Sequence, residues 1–188
     1  MSTTTRLVIL GAVRQFQPVH GYFLRRELLS WHVDEWANIQ PGSIYNALRS
    51  LEKDGYVQED GTTSEGRRPE RTTYRVTPEG ETEFLRMLRH ALWNVETFDV
   101  KPAMALTSFM YALRRQEVME ALEHRIKEID ARISSNNYNV EDVRNSPSTP
   151  AYVREIFELS SARLRAEQTW SRELLGRLQD GEYTFAGE

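Results

Sequence analysis

Apolar residues in the first part of the chain recur at the spacing of short helices. Residues 7–16 are almost all apolar, which predicts a largely buried first helix that ends before Pro18 and Gly21. A second helix is predicted over residues 22–32, where leucines recur at helical spacing among charged residues. A third is predicted over residues 41–54, because proline suits the first turn of a helix.

The third predicted helix has one apolar face and one polar face. Its apolar residues fall at i, i+3, i+4 and i+7, which predicts a buried stripe of Ile44, Ala47, Leu48 and Leu51. At about 100° per residue, the opposite face carries Ser43, Tyr45, Asn46, Arg49, Ser50 and Lys53. No carboxylate falls on this outer face, and Gly55 is suited to end the helix.

A basic hairpin and a fourth helix follow. Residues 56–59 form a brief strand-like run, and residues 71–76 alternate and are rich in β-branched side chains. The polar segment between them and the first residue of the second run supply three arginines, Arg67, Arg68 and Arg71. Thr77-Pro78-Glu79 is a strong helix start and predicts a fourth helix to about Trp93.

The second half of the chain is predicted to be helical. Apolar positions predict a long helix over residues 103–134, and residues 134–148 are polar and asparagine-rich, which predicts a loop. Thr149-Pro150 is expected to start a final helix, and residues 180–188 are expected to fray. The predicted fold is mainly α with a small β-hairpin wing. Residues 1–93 are predicted to form a winged helix-turn-helix DNA-binding domain, and residues 94–188 are predicted to form long helices that act as a dimerisation arm, with ligand sensing as a second candidate role.

The chemistry of the N-terminal half agrees with double-stranded DNA as the partner. A helix that enters the major groove needs an apolar inner face and donors outside. A wing needs basic residues on a thin two-stranded ribbon to meet phosphates or a narrow minor groove. DNA contacts are therefore predicted at Ser43, Tyr45, Asn46, Arg49 and Lys53 of the third helix and at Arg67, Arg68 and Arg71 of the wing. Contacts are also predicted at His20 and Tyr22. The alternatives are a solvated helix surface, a mobile charged loop for the arginines, and packing or capping roles for Tyr45, His20 and Tyr22.

Charge and composition narrow the function without deciding it. The net charge of −4 argues against nucleic acid, but residues 1–90 hold 12 basic and 12 acidic side chains, so the deficit lies in the C-terminal half. The chain has no cysteine and no apolar run long enough to span a membrane, and it is interpreted as soluble and cytoplasmic. The four histidines lack metal-ligand spacing, and no catalytic motif or cofactor loop is present, so neither an enzyme nor a metal or cofactor site is predicted.

The N-terminal half also resembles the PadR-like transcriptional regulators. The resemblance rests on residues 18–22 (Pro-Val-His-Gly-Tyr), on residues 41–57 with their Pro-Gly-Ser-Ile-Tyr string, and on residues 66–80. It implies a homodimeric repressor that binds a pseudo-palindromic operator and is released by a small aromatic or drug-like ligand. The position after Tyr45 is often proline in that family and is Asn46 here, so the operator of a relative should not be assumed.

Several points stay open at this stage. Trp93, Phe98, Phe109, Met110 and Trp170 are candidates for an aromatic ligand pocket, and the alternative is that they are dimer-core residues. A winged-helix module used for protein–protein contacts without specific DNA binding is the alternative function. The sequence does not distinguish repression from activation.

Overall fold

The structure of this chain, a computed structural model, describes residues 1–63 and 71–188; at Thr62, Thr63 and Arg71 it describes the backbone alone. The helices are α1 (Thr3–Phe16), α2 (Gly21–Ser30), α3 (Val33–Trp36), α4 (Ser43–Lys53), α5 (Pro78–Trp93), α6 (Lys101–Phe109), α7 (Arg115–Asn145) and α8 (Arg154–Gln179). The strands are β1 (Val19–His20), β2 (Val57–Thr63) and β3 (Arg71–Val76). Two compact units result, one of Met1–His90 with Met104–Phe109 and one of Ala91–Ala103 with Met110–Glu188.

Helix α1 lies at the centre of the first unit. Every residue from Leu7 to Val13 is buried, as the continuous apolar run predicts. Gly11 is required by a close approach, because a Cβ at this position would lie 2.7 Å from the Phe109 ring and 2.8 Å from the Phe84 ring. The two rings meet edge to face with centroids 5.8 Å apart. The second half of α6 therefore belongs to this core.

The sheet of the first unit is antiparallel, with strand order β1-β3-β2. Strand β2 is longer than predicted, and its pairing with β3 shifts between Glu59 and Thr62. Gly61, inside the shift, has a φ of 116°, which only glycine adopts freely. The two-residue strand β1 and the short helix α3 carry no sequence pattern of their own and were not predicted. The predicted winged helix-turn-helix, with its small β-hairpin wing and long C-terminal helices, is confirmed.

In the second unit α7 and α8 form an antiparallel pair. Hydrogen bonds join Arg125 to Glu167 and Asn136 to Ser160, so residue numbers fall along one helix as they rise along the other. Three apolar residues, Val95, Ile129 and Leu164, form one buried cluster of this unit. The pair is therefore held by both apolar and polar buried contacts.

Three predictions for the second half were wrong. The long helix over 103–134 is interrupted, because α6 ends at Phe109 and a 3-10 turn (Met110–Ala112) precedes extended backbone at Arg114. The predicted loop over 134–148 is mostly helix, since Asn136, Val140 and Val143 are buried at i, i+4 and i+7. The tail over 180–188 is packed rather than frayed, with Phe185 only 3% exposed.

Candidate nucleic-acid interface

Helix α4 is fixed firmly at its C-terminal end. Its apolar stripe is buried as predicted, at Ile44, Ala47, Leu48 and Leu51. Gly55 adopts a φ of 79°, and the backbone N–H groups of Gly55 and Tyr56 donate to the carbonyls of Glu52 and Leu51. This pair of bonds is the Schellman arrangement, which closes a helix and satisfies its last carbonyls.

The opposite face of α4 is open to solvent. Tyr45, Asn46, Arg49 and Lys53 are exposed, and Ser43 and Ser50 are half-buried. Arg49 Nη2 donates to Asn46 Oδ1 at 3.1 Å, so these two side chains form one connected polar group. The outer face thus presents amide, guanidinium, ammonium and hydroxyl groups side by side.

The carboxylates nearest this face lie at its edges. Asp54, which follows the helix, is 3.0 Å from the guanidinium of Arg6 on α1. Glu52 is half-buried at the edge of the apolar stripe. Because neither carboxylate lies among the exposed side chains of Tyr45, Asn46 and Arg49, the outer face keeps a positive character.

The turn before α2 lies beside α4. The Nδ1 atom of His20 lies 3.3 Å from the carbonyl oxygen of Thr72 on β3, which ties β1 to the sheet. Gly21 allows close contact with α4, since a Cβ there would lie 3.0 Å from Tyr45 Cε1. Tyr22 is 67% exposed. The structure therefore brings His20, Tyr22 and Tyr45 to one place.

An open groove of about 640 Å³ runs between these elements. It is lined by His20, Gly21, Tyr22, Phe23, Arg26, Tyr45, Thr72 and Tyr74. Sequence reasoning missed Phe23, Arg26, Thr72 and Tyr74. Helical spacing from Tyr22 to Arg26 and strand alternation from Thr72 to Tyr74 were the only signals, and neither shows that the two elements meet.

Two charged groups near the groove have defined partners. Arg26 donates from Nε and Nη2 to Glu27 at 3.0 and 2.8 Å, and its guanidinium lies 4.7 Å from the centre of the Phe23 ring. Burial raises the pKa of Tyr74, Glu52 and Glu59 raise it further, and Arg49 opposes the rise. The Tyr74 hydroxyl is therefore protonated at neutral pH and can donate a hydrogen bond.

The basic tip of the wing falls largely outside the described residues. Arg67 and Arg68 lie in the segment 64–70, and Arg71 begins β3 with its backbone paired to Thr63. In the described part of the wing, Arg75 donates to Asp60 at 2.8 Å, and this contact raises the pKa of Arg75. Arg75 is thus engaged within the hairpin.

Residues 9–86, which contain α2, α4 and the wing, match the model of the Transcriptional regulator PadR-like family. This match covers less than half of the chain, and over these residues the chain is similar to the family. A search of the curated proteins returned no significant match.

Solved structures similar to the chain include PadR itself and a PadR-like transcriptional regulator. Bacillus subtilis PadR in complex with operator DNA is 22% identical, with a TM-score of 0.42 over 92% of this chain and 98% of that chain. Bacillus subtilis PadR in complex with p-coumaric acid is 18% identical, with a TM-score of 0.40 over 94% and 99%. The PadR-like transcriptional regulator BC1756 from Bacillus cereus is 22% identical, with a TM-score of 0.37 over 95% and 99%.

The five aromatic and methionine residues predicted as a ligand pocket have different environments. Phe109 is fully buried in the core of the first unit, where its ring meets Phe84 and Trp31. In the second unit Trp93 is 37% exposed and its ring lies 5.6 Å from the ring of His124. The remaining three, also in that unit, are exposed Phe98 and half-buried Met110 and Trp170. The environment of Phe109 is that of a core residue within one chain.

The described residues include neither a metal-binding cluster nor a membrane-spanning helix. Across residues 1–63 and 71–188, no group of three or more histidine, aspartate or glutamate side chains is placed to hold a metal ion. Within the same residues, no helix combines the length and the apolar character that a membrane crossing requires.

Proposed function

We propose that this PadR-like chain is a sequence-specific DNA-binding repressor whose helix α4 enters the major groove. The observation that supports this most directly is the outer face of α4, where Asn46 and Arg49 are exposed and hydrogen-bonded to each other. An α-helix of about 10–12 Å diameter fits the roughly 12 Å width of the major groove. Asparagine pairs with adenine and arginine with guanine through two hydrogen bonds each.

The remaining predicted contacts divide by chemistry. Tyr45, Ser43 and Lys53 suit contacts with phosphate or sugar, because each carries one hydroxyl or ammonium group and lacks the paired groups that bond a base edge at two points. The arginines of the wing, at positions 67, 68 and 71, are permanently charged and suit phosphates or a narrow minor groove. His20 and Tyr22 lie beside Tyr45 and are assigned to the backbone of the same DNA.

We also propose that residues 94–188 join two copies of the chain. Helix α8 uses one face against α7, but a second face carries Ile156 and Leu159, which are 56% and 65% exposed, and Tyr152 in the turn before α8 is 74% exposed. Exposed Ala166 and half-buried Trp170 continue this stripe in steps typical of a coiled-coil seam, which is interrupted by Arg163. A self-complementary stripe fits a two-fold dimer, and two α4 helices would then read a pseudo-palindromic operator.

We further propose that a small aromatic ligand releases the chain from DNA. This proposal is supported by the PadR-like resemblance and by the partly exposed indole of Trp93 beside His124 in the second unit. Quenching of tryptophan fluorescence by an aromatic acid, lost in Trp93→Phe, is the expected sign of such a site.

The decisive experiment is a footprint on the DNA beside the gene that encodes the chain, followed by fluorescence anisotropy on the protected duplex and a scrambled duplex. We expect two protected half-sites roughly 34–36 Å apart. Arg68→Ala should weaken binding to both duplexes alike and lower the salt slope by about 0.9 per lost phosphate contact. Equal affinity of the unaltered chain for both duplexes, or binding to neither, would favour a protein–protein role for the winged helix instead.

A further inference from the structure

We infer that the groove between α2, α4 and β3 holds the sugar–phosphate backbone of one DNA strand, with Arg26 as the residue that meets a phosphate. This inference rests on the proposed function, because it names the part of the DNA that a second surface of the same unit contacts. It adds Arg26, Thr72 and Tyr74 to the residues that sequence reasoning assigned to DNA.

The form of the groove favours a polymer over a small ligand. Pockets for small molecules bury about 70–90% of the ligand surface, which requires enclosing walls. This groove is only partly enclosed, and Tyr22 in its wall is 67% exposed. Tyr45 belongs both to the groove and to the outer face of α4, so a strand whose bases α4 reads runs past the groove.

The lining of the groove matches a DNA backbone chemically. None of its eight residues carries a carboxylate, and three tyrosines and one phenylalanine supply ring surface for deoxyribose. The hydroxyl groups of Tyr22, Tyr45 and Thr72 can each donate to a phosphate oxygen. Arg26 is the one permanent positive charge among these residues.

The side chain of Arg26 is held in place by two neighbouring residues. Its guanidinium lies against the Phe23 ring, and its Nε and Nη2 atoms donate to Glu27. These contacts fix the side chain while leaving it 60% exposed. We assign the phosphate to its Nη1 group. The phosphate is expected at the Tyr22 and Arg26 end, because Arg26 is the one permanent positive charge among the lining residues.

The test compares Arg26→Gln with Arg86→Gln in the full chain. Arg86 is a matched control, because it is bonded to Glu83 on its own helix and its side chain is 63% exposed, against 60% for Arg26. Binding to a labelled random-sequence duplex is measured by anisotropy across a salt series. Arg26→Gln should lower the salt slope by about 0.9 per lost contact, or about 1.8 for a dimer. Arg86→Gln should follow the unaltered chain.

Two further variants separate charge from hydrogen bonding. Arg26→Lys keeps the charge and should keep the salt slope. Tyr22→Phe removes one donor and should weaken binding about two- to tenfold per hydroxyl without changing the slope. Circular dichroism confirms that each variant is folded before binding is compared.

The outcomes distinguish the groove from the function on which it rests. If the unaltered chain binds the duplex and Arg26→Gln keeps its affinity and slope, the groove does not hold the backbone, although DNA binding stands. If the unaltered chain binds no duplex, both the groove inference and the proposed function are wrong.

Discussion

Arg115, the first residue of α7, and Glu188, the last residue of the sequence, form a two-point ion pair, with Nε 2.6 Å from Oε1 and Nη2 2.9 Å from Oε2. The same guanidinium donates to three backbone carbonyls, those of Leu178, Glu182 and Tyr183. It also lies 4.9 Å from the centre of the Phe185 ring. These contacts hold residues 180–188 against the start of α7, and we call this segment the C-terminal clasp.

The first prediction concerns the buried ring of the clasp. Phe185→Ala should lower the free energy of unfolding by about 3–5 kcal/mol, because the side chain is 3% exposed and its loss leaves a cavity. Urea denaturation followed by circular dichroism measures the change. Tyr183→Ala is the control, since Tyr183 is in the same segment but 55% exposed, and its effect should stay within about 0.5 kcal/mol. If Phe185→Ala changes the free energy of unfolding as little as Tyr183→Ala does, the clasp contributes little to stability.

The second prediction is a pH dependence. Hydrogen bonds from Arg115 and from the Phe185 backbone N–H lower the pKa of Glu188 from 4.5 to about 2. A carboxyl group whose pKa is lowered on folding stabilises the protein above its unfolded pKa and loses this effect as the pH falls through its folded pKa. The melting temperature of Glu188→Gln should therefore lie below that of the unaltered chain near neutral pH. The difference should close between pH 4.5 and about 2. A difference that persists unchanged at the acid end would contradict this assignment.

The clasp illustrates what local patterns leave out. Residues 180–188 contain glycine and charge and lack periodicity, so the sequence predicted fraying. Their order comes from Arg115, which is more than sixty positions away. In the same way, Asn136 donates to Ser160 and Ser161 and keeps an asparagine-rich stretch helical. Side chains that suit loops locally are stabilised here by partners on another helix.

Where local signals are strong, the sequence was sufficient. The Thr77-Pro78 start of α5 is confirmed by the bond from the Gly80 N–H to Thr77 Oγ1 at 3.0 Å. The two faces of α4 follow from periodicity alone. The groove could not be predicted in this way, because it combines residues of β1, α2, α4 and β3, and Arg26 and Tyr74 come to line the same groove only through the tertiary fold.

The third prediction concerns Arg125, whose side chain is 2% exposed. Its Nε donates to Glu167 at 2.7 Å, and its Nη1 donates to the carbonyls of Ala91, Leu92 and Asn94 at the end of α5. Arg125→Met should cost about 3–5 kcal/mol of unfolding free energy, because Glu167 and these carbonyls lose their buried donor. Urea denaturation measures the loss.

Two variants give this third prediction its controls. Arg144→Met breaks the exposed pair with Glu141 on the same helix and should change stability by less than about 1 kcal/mol. Arg125→Met combined with Glu167→Leu should recover part of the loss, since no charge is then left unpaired. A double variant no more stable than Arg125→Met would show that the cost comes from the carbonyls rather than from Glu167.

The fourth prediction tests the proposed dimer and the role of α8 in it. Leu159→Glu places a charge in the exposed stripe of α8 and should shift the chain from dimer to monomer in light scattering. Arg165→Ala changes the net charge equally, lies on a different exposed side of α8 and should leave the dimer intact. A Leu159→Glu chain that remains a tight dimer would show that another surface joins the two copies.

The last prediction concerns the pair at the centre of the proposed DNA contact. Asn46→Ala should cost about 1–3 kcal/mol on the operator and little on a scrambled duplex, because base contacts carry the sequence preference. Arg49 Nη2 donates to Asn46 Oδ1, so each side chain orients the other, and the losses from Asn46→Ala and Arg49→Ala should not be additive in a double-mutant cycle. Anisotropy gives the binding free energies of the unaltered chain, the two single variants and the double variant on each duplex. Asn137→Ala, at an exposed asparagine of α7, is the control. Additive losses would mean that the two residues act separately. Equal losses on both duplexes would mean that α4 does not read sequence through Asn46.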